Sequence, residues 1–134
     1  GDGAHVLNGD TWLEYAPAAL EAAARAASTP MAIALARVDD VARYGAVDVR
    51  DGLARDFREK GEAGAGWINA GCYFLGAEAL SALPARTMFS FERDVLQPRA
   101  LAGDVAAFTD TNSFIDIGVP EDYARAQPMF AARA

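Results

Sequence analysis

The sequence predicts an α/β fold, a layered sandwich around a mixed sheet, and three observations carry that expectation. Short apolar runs of strand length alternate with helical segments, Asp51-Gly52 inserts one antiparallel hairpin, and a polar turn cluster closes the first apolar run. The 134 residues suffice for one domain, 1–134, with its own hydrophobic core, and are too few for two full lobes.

The first strand candidate is His5-Val6-Leu7, which stops at the turn formers Asn8-Gly9-Asp10-Thr11. Residues 17–27 form an alanine-rich helix, with Pro17 suited to a first helical position and Ser28-Thr29-Pro30 closing it. Residues 31–38 (MAIALARV) read as a buried strand, although the alanines leave helix open, and complete a βαβ unit. Residues 45–50 and 53–59 flank Asp51-Gly52, the pair that most readily supplies positive φ at a two-residue hairpin turn. A glycine-rich loop, residues 61–66, leads into an aromatic and β-branched strand over 67–75 that Gly71 interrupts, and a short helix follows over 77–83. Ser90 caps a helix over 91–96, and Pro98 interrupts or restarts it. Residues 104–109 and 113–117 are the last strands, and Pro120 opens a final helix to about residue 132.

The net charge of −7 and the scattering of twelve Lys and Arg argue against a nucleic-acid partner. No apolar run approaches the ~20 residues of a membrane-spanning helix, so a soluble protein is expected. One cysteine, Cys72, cannot form an internal disulfide, and no export signal opens the chain; both fit a reducing cytoplasm. An acidic protein that handles anionic nucleotides needs a divalent cation and a few well-placed basic groups.

Ligands of open α/β sheets bind beyond the carboxyl ends of strands, which directs attention to Asp10 and Asp116. Gly9 lets the backbone turn and aim the Asp10 carboxylate into a crevice. Asp116 lies among apolar residues in Phe114-Ile115-Asp116-Ile117-Gly118, where a buried carboxylate requires a cation, a donor or solvent. A metal ion shared by the two acids satisfies both; an Asx-turn at Asp10 and a solvent-facing Asp116 are the plainer alternative. His5 reads as a core or edge residue and Cys72 as a small buried hydrophobe. The loop over 61–66 precedes a strand and lacks a following Lys-Ser/Thr, so it is not a phosphate cradle.

Six motifs occur in order: Leu7-Asn8-Gly9-Asp10-Thr11, Tyr44-Gly45-Ala46-Val47, Phe57-Arg58-Glu59-Lys60, Ile68-Asn69-Ala70-Gly71-Cys72-Tyr73, Phe89-Ser90-Phe91-Glu92-Arg93-Asp94-Val95 and Phe114-Ile115-Asp116-Ile117-Gly118-Val119-Pro120-Glu121-Asp122-Tyr123. Together they resemble the sugar-phosphate nucleotidyltransferases, especially guanylyltransferases acting on mannose-type or heptose 1-phosphates. The resemblance implies part of a Rossmann-like, three-layer α/β/α sandwich of the nucleotide-diphospho-sugar transferase type, around a mixed, mostly parallel sheet. It further implies transfer of a nucleoside monophosphate, GMP by resemblance, from a nucleoside triphosphate to a sugar 1-phosphate with release of pyrophosphate. By resemblance, Asp10 and Asp116 hold a catalytic Mg2+ and Lys60 binds the phosphate of the sugar 1-phosphate. Glu59 and Asn69 match sugar-hydroxyl contacts, and Gly45 and Gly71 match places where backbone approaches the hexose. The sequence leaves open whether the protein forms a homo-oligomer.

Two features depart from the family pattern. No glycine-rich loop with Arg and Lys, which grips the triphosphate and base in the family, occurs in these residues, and Val119 stands where Thr is common, losing a side-chain cap that contributes ~1 kcal/mol. The alternative to an enzyme is a non-catalytic sugar-phosphate-binding or assembly module that keeps the acceptor pocket without the nucleotide loop. Residues 1–134 in isolation are therefore expected to be inactive. Titration of this segment with GTP and a sugar 1-phosphate should release no pyrophosphate, and release at a rate typical of whole enzymes would refute the expectation.

Overall fold

In a computed structural model of the chain, the structure describes residues 3–9, 11–58, 64–84 and 90–116. The expected final helix from Pro120 lies outside the described residues, as do residues 61–63 of the glycine-rich loop. In chain order the elements are β1 (Gly3–Leu7), β2 (Thr11–Leu13), α1 (Pro17–Ala26), β3 (Met31–Val38), a 3-10 turn (Val41–Arg43), β4 (Val47–Arg50) and β5 (Leu53–Phe57). There follow β6 (Gly66–Gly76), α2 (Ala77–Ser81), a π-helical segment (Phe91–Leu96) continuing as α3 (Gln97–Leu101), β7 (Val105–Phe108) and β8 (Phe114–Asp116).

The alternation of β3 divides the molecule into layers. Met31, Ile33 and Leu35 point to one face, where they pack with Leu75, Ala79, Leu96 and Ala100 under α2, the π-helical segment and α3. Ala32, Ala34 and Ala36 point to the other, where they meet Leu20 and Ala24 of α1. A strand side chain reverses direction at each residue, so large residues on one face and alanines on the other allow α1 to lie close to the sheet. This is why an alanine-rich segment with helical propensity is a strand here: each of residues 31–36 is at most 1% exposed and packs on one side or the other. The result is the expected three-layer α/β/α sandwich.

The six-stranded sheet has the order β1-β6-β3-β7-β5-β4, and β2 pairs with β8 in a separate two-stranded ribbon. Both β1 and β3 are antiparallel to β6, which lies between them, and β7 is parallel to β3. Thus β1, β3 and β7 share one direction. The sheet is mixed, but the expected predominance of parallel pairing is corrected: among the described residues β3–β7 is the one parallel pair of neighbours. The reason is that β6 returns between β1 and β3, while β4 and β5 form the hairpin. At its turn Asp51 (φ 54) and Gly52 (φ 76) are both left-handed, as a two-residue turn matched to strand twist requires.

Ser90 accepts a hydrogen bond from the Arg93 N–H, the cap expected from the sequence, and Pro98 lies where the π-helical segment gives way to α3. On the same layer the Arg99 guanidinium grips Glu78 of α2 at 2.7 and 3.1 Å. No helix among the described residues is long and apolar enough to cross a membrane.

Candidate functional site

The site is built where β1 and β7 stop while β3 continues. Leu7 pairs with Cys72 and Phe108 with Ala34, leaving β3 to run on alone to Val38 alongside β6. Chain leaving β1 and β7 enters the ribbon, in which Thr11 pairs with Asp116, Trp12 with Ile115 and Leu13 with Phe114. Glu14 and the residues before β8 prolong it, since the Glu14 N–H donates to Ser113 O and the Asn112 N–H donates to Glu14 O, each at 2.9 Å. Thr111 anchors the connection by donating its hydroxyl to Leu35 O at 2.6 Å.

Gly71 joins this ribbon to the sheet. A register irregularity between Ile33 and Leu35 lets β6 bulge, and Gly71 takes φ +79, a region that side-chain-bearing residues rarely adopt. A Cβ added there would stand 2.7 Å from Thr11 Oγ1 and 2.8 Å from Asn8 Nδ2. The bulge therefore fits beneath the two residues that bracket Gly9-Asp10. The Asn8 N–H donates to Gly71 O at 2.8 Å, and the Gly71 N–H donates to Asn69 Oδ1 at 2.8 Å. Asn69 Nδ2 in turn donates to the Tyr73 hydroxyl at 2.7 Å. Tyr73 is buried, with its ring 4.8 Å from that of Phe91; burial pushes its pKa up to about 12, against the opposing effect of the hydrogen bond from Asn69. A Cβ at Gly9 would meet nothing within 4 Å, so the turn is open at that residue.

A second loop approaches from the end of β3. Asp40 Oδ1 accepts from the N–H groups of Ala42 (3.0 Å) and Gly64 (3.3 Å), and Gly64 O accepts from Val41 at 2.9 Å. The Arg58 N–H donates to Ala46 O at 2.8 Å, so residues 58 and 64 both rest on the segment that contains Gly45. Gly45 is buried and left-handed (φ +86), and its N–H closes on Val41 O at 2.8 Å. Beside it, the Tyr44 ring packs edge-on against Phe114 of β8 at 5.9 Å.

Of the residues expected from the sequence, Asn69 and Gly71 lie in the bulge, Gly45 in the loop before β4, and Asp116 ends β8 opposite Thr11. Asp10, Glu59 and Lys60 lie outside the described residues. The side-chain bonds of Asn69 run to the Gly71 N–H and to Tyr73, within the protein. Sequence reasoning missed Asn8, Thr11 and Tyr73 as parts of the site. The available signal was Tyr73 itself, a phenol within an apolar strand that must find a hydrogen-bond partner when buried. His5 is at the edge strand, beside Glu21 (3.7 Å) and against the Phe74 ring, and Cys72 is buried, as read from the sequence. Among the described residues no three His, Cys, Asp or Glu side chains gather in a metal-binding group.

The profile of the family named Nucleotidyl transferase matches residues 2–133. This chain belongs to that family. The chain is 36% identical over 97 residues to a D-glycero-alpha-D-manno-heptose 1-phosphate guanylyltransferase from Aneurinibacillus thermoaerophilus, a match covering 72% of this chain and 42% of that protein. It is 36% identical over 121 residues to the enzyme of the same name from Campylobacter jejuni, covering 90% and 52%. The chain thus spans about half the length of these curated relatives. The crystal structure of HddC from Yersinia pseudotuberculosis complexed with GMP-PN superposes with a TM-score of 0.81 at 37% identity, covering 97% of this chain and 56% of that one. The chain has the α/β fold of these structural neighbours.

If the left-handed bulge holds the candidate site together, Gly71→Ala should be poorly tolerated. Strain at φ +79 combined with contact against Thr11 and Asn8 should cost about 2 kcal/mol or more, read as a lower urea midpoint at unchanged slope. An unchanged midpoint would contradict this reading.

Proposed function

We propose that the protein acts as a nucleotidyltransferase that moves a nucleoside monophosphate, GMP as first choice, from a nucleoside triphosphate to a sugar 1-phosphate. The observation that carries the reading is the β2–β8 register: Thr11, the residue after Asp10, pairs with Asp116 at the edge where β1 and β7 end. Thr11, which follows Asp10 in the sequence, thus lies beside Asp116 in the ribbon, at the end of the sheet where α/β proteins bind ligands. Guanylyltransferase relatives and a neighbour complexed with GMP-PN support the choice of substrate class.

Asp10 and Asp116 would hold Mg2+, and their donor chemistry fits it, because a hard cation with retained waters and phosphate oxygens needs one or two carboxylates and no His or Cys. Bound there, the ion would offset negative charge on the assembled phosphates. In the reaction, a phosphate oxygen of the sugar 1-phosphate bonds to the α-phosphorus of the triphosphate while the α–β bridging bond breaks and pyrophosphate departs. The attacking oxygen is already anionic, so no side chain has to remove a proton. Lys60 would bind the sugar phosphate, and Glu59 would hydrogen-bond sugar hydroxyls. Gly45 and Gly71 would let backbone approach the sugar. A small buried Cys72 suits a cytoplasmic setting.

The test is pyrophosphate release by the full-length protein with each nucleoside triphosphate and a mannose-type or heptose 1-phosphate. Activity should favour GTP, Asp10→Asn and Asp116→Asn should each lower kcat/KM by ~100-fold or more, and Lys60→Gln should chiefly raise the KM for the sugar phosphate. Tight binding of the sugar phosphate without pyrophosphate release from any triphosphate would favour the non-catalytic binding module instead.

A further inference from the structure

On one face of β3, Met31, Ile33 and Leu35 are buried beneath α2, the π-helical segment and α3, and Arg37, the next residue on that face, is exposed. Its Cα partner on β6 is Trp67, and the guanidinium carbon lies 5.6 Å from the centroid of the indole ring. Pairing is regular from Leu35–Asn69 to Arg37–Trp67, so Trp67 shares a face of the sheet with Asn69. Phe57 and Val47, which follows Gly45 by two residues, belong to the same apolar cluster as Trp67. The Arg37–Trp67 pair thus stands where β3 and β6 run on past β1 and β7, beside Asn69 and the strand that Gly45 leads into.

The partner of this cation sets it apart. Arg25, Arg58, Arg93 and Arg99 each pair with a carboxylate. Among the described residues Arg37 has no carboxylate partner, in a chain with 19 Asp and Glu against 12 Lys and Arg. Stacking on an aromatic ring engages the face of the guanidinium and leaves its in-plane N–H groups able to donate elsewhere. Two adjacent N–H groups form a rigid fork that matches a pair of neighbouring oxygens. The indole also restrains a long side chain whose rotation would otherwise oppose binding.

We infer that Arg37, held against Trp67, is a specificity-determining residue of the acceptor side and donates its fork to two neighbouring hydroxyls of the sugar. The inference rests on the reading of the protein as a sugar 1-phosphate nucleotidyltransferase. A sugar ring fits the pair better than a bare phosphate, because the partly exposed indole offers an apolar surface to its C–H groups.

Arg37→Met keeps an unbranched stem and removes the fork. Because Arg37 is exposed, the melting temperature of the full-length variant should stay near that of the parent. In calorimetric titrations with a saturating GTP analogue that cannot react, its Kd for a mannose-type or heptose 1-phosphate should rise by about 10-fold, the equivalent of one hydrogen bond from a charged donor. Its Kd for the GTP analogue should be unchanged. Monodeoxy sugar 1-phosphates locate the contact: the parent should bind two adjacent deoxy analogues poorly, and Arg37→Met should not discriminate against them. Trp67→Leu should weaken sugar binding by a smaller factor, since the fork is present but unrestrained. An unchanged sugar Kd in Arg37→Met, beside a parent that binds the sugar phosphate, would overturn this inference alone. A loss equal for every deoxy analogue would place Arg37 on the phosphate and overturn the hydroxyl contact. A parent that binds no sugar 1-phosphate would overturn the nucleotidyltransferase reading as well.

Discussion

A glycine in a left-handed conformation is the constraint on which the site depends. At Gly71 the long strand β6 stops being regular, and the absence of a Cβ lets Asn8 donate its N–H to the Gly71 carbonyl while the Thr11 hydroxyl occupies the space a side chain would need. Any side chain there would push the 8–11 turn away from the sheet. The ribbon of β2 and β8 begins at Thr11, so the bulge also sets where Asp116 lies relative to the end of β1.

The sheet supports this arrangement by its asymmetry. Large apolar residues of β3 pack under α2, the π-helical segment and α3, while its alanines receive α1 on the opposite face. Close packing on both sides leaves the strand ends as the place where polar chemistry can meet solvent, and there β1 and β7 stop short of β3. A net charge of −7 gives the chain no general attraction for anions.

Much of this was legible before the structure. Asp51-Gly52 announced its hairpin because few dipeptides tolerate two positive φ angles, and Pro17 and Ser90 marked helix starts through their backbone chemistry. Gly71 stood out as an interruption of an apolar strand. The ribbon strand β2 did not, since three residues carry no measurable periodicity and its stability comes from a partner about a hundred residues away. Nor could periodicity reveal that β6 returns between β1 and β3, because strand order is a long-range property. The hydrogen bonds around the bulge were hidden for the same reason: Asn8 and Gly71 meet through tertiary structure, and each alone resembles an ordinary turn or strand residue.

The central claim is that Asp10 and Asp116 share one divalent ion. Crystals of the full-length protein grown with Mn2+ in place of Mg2+ test it most directly through the metal's anomalous signal. The account predicts a single strong peak with a carboxylate oxygen from each residue at about 2.2 Å. A peak bound by other residues, or carboxylates too far apart for one ion to bridge, would contradict it.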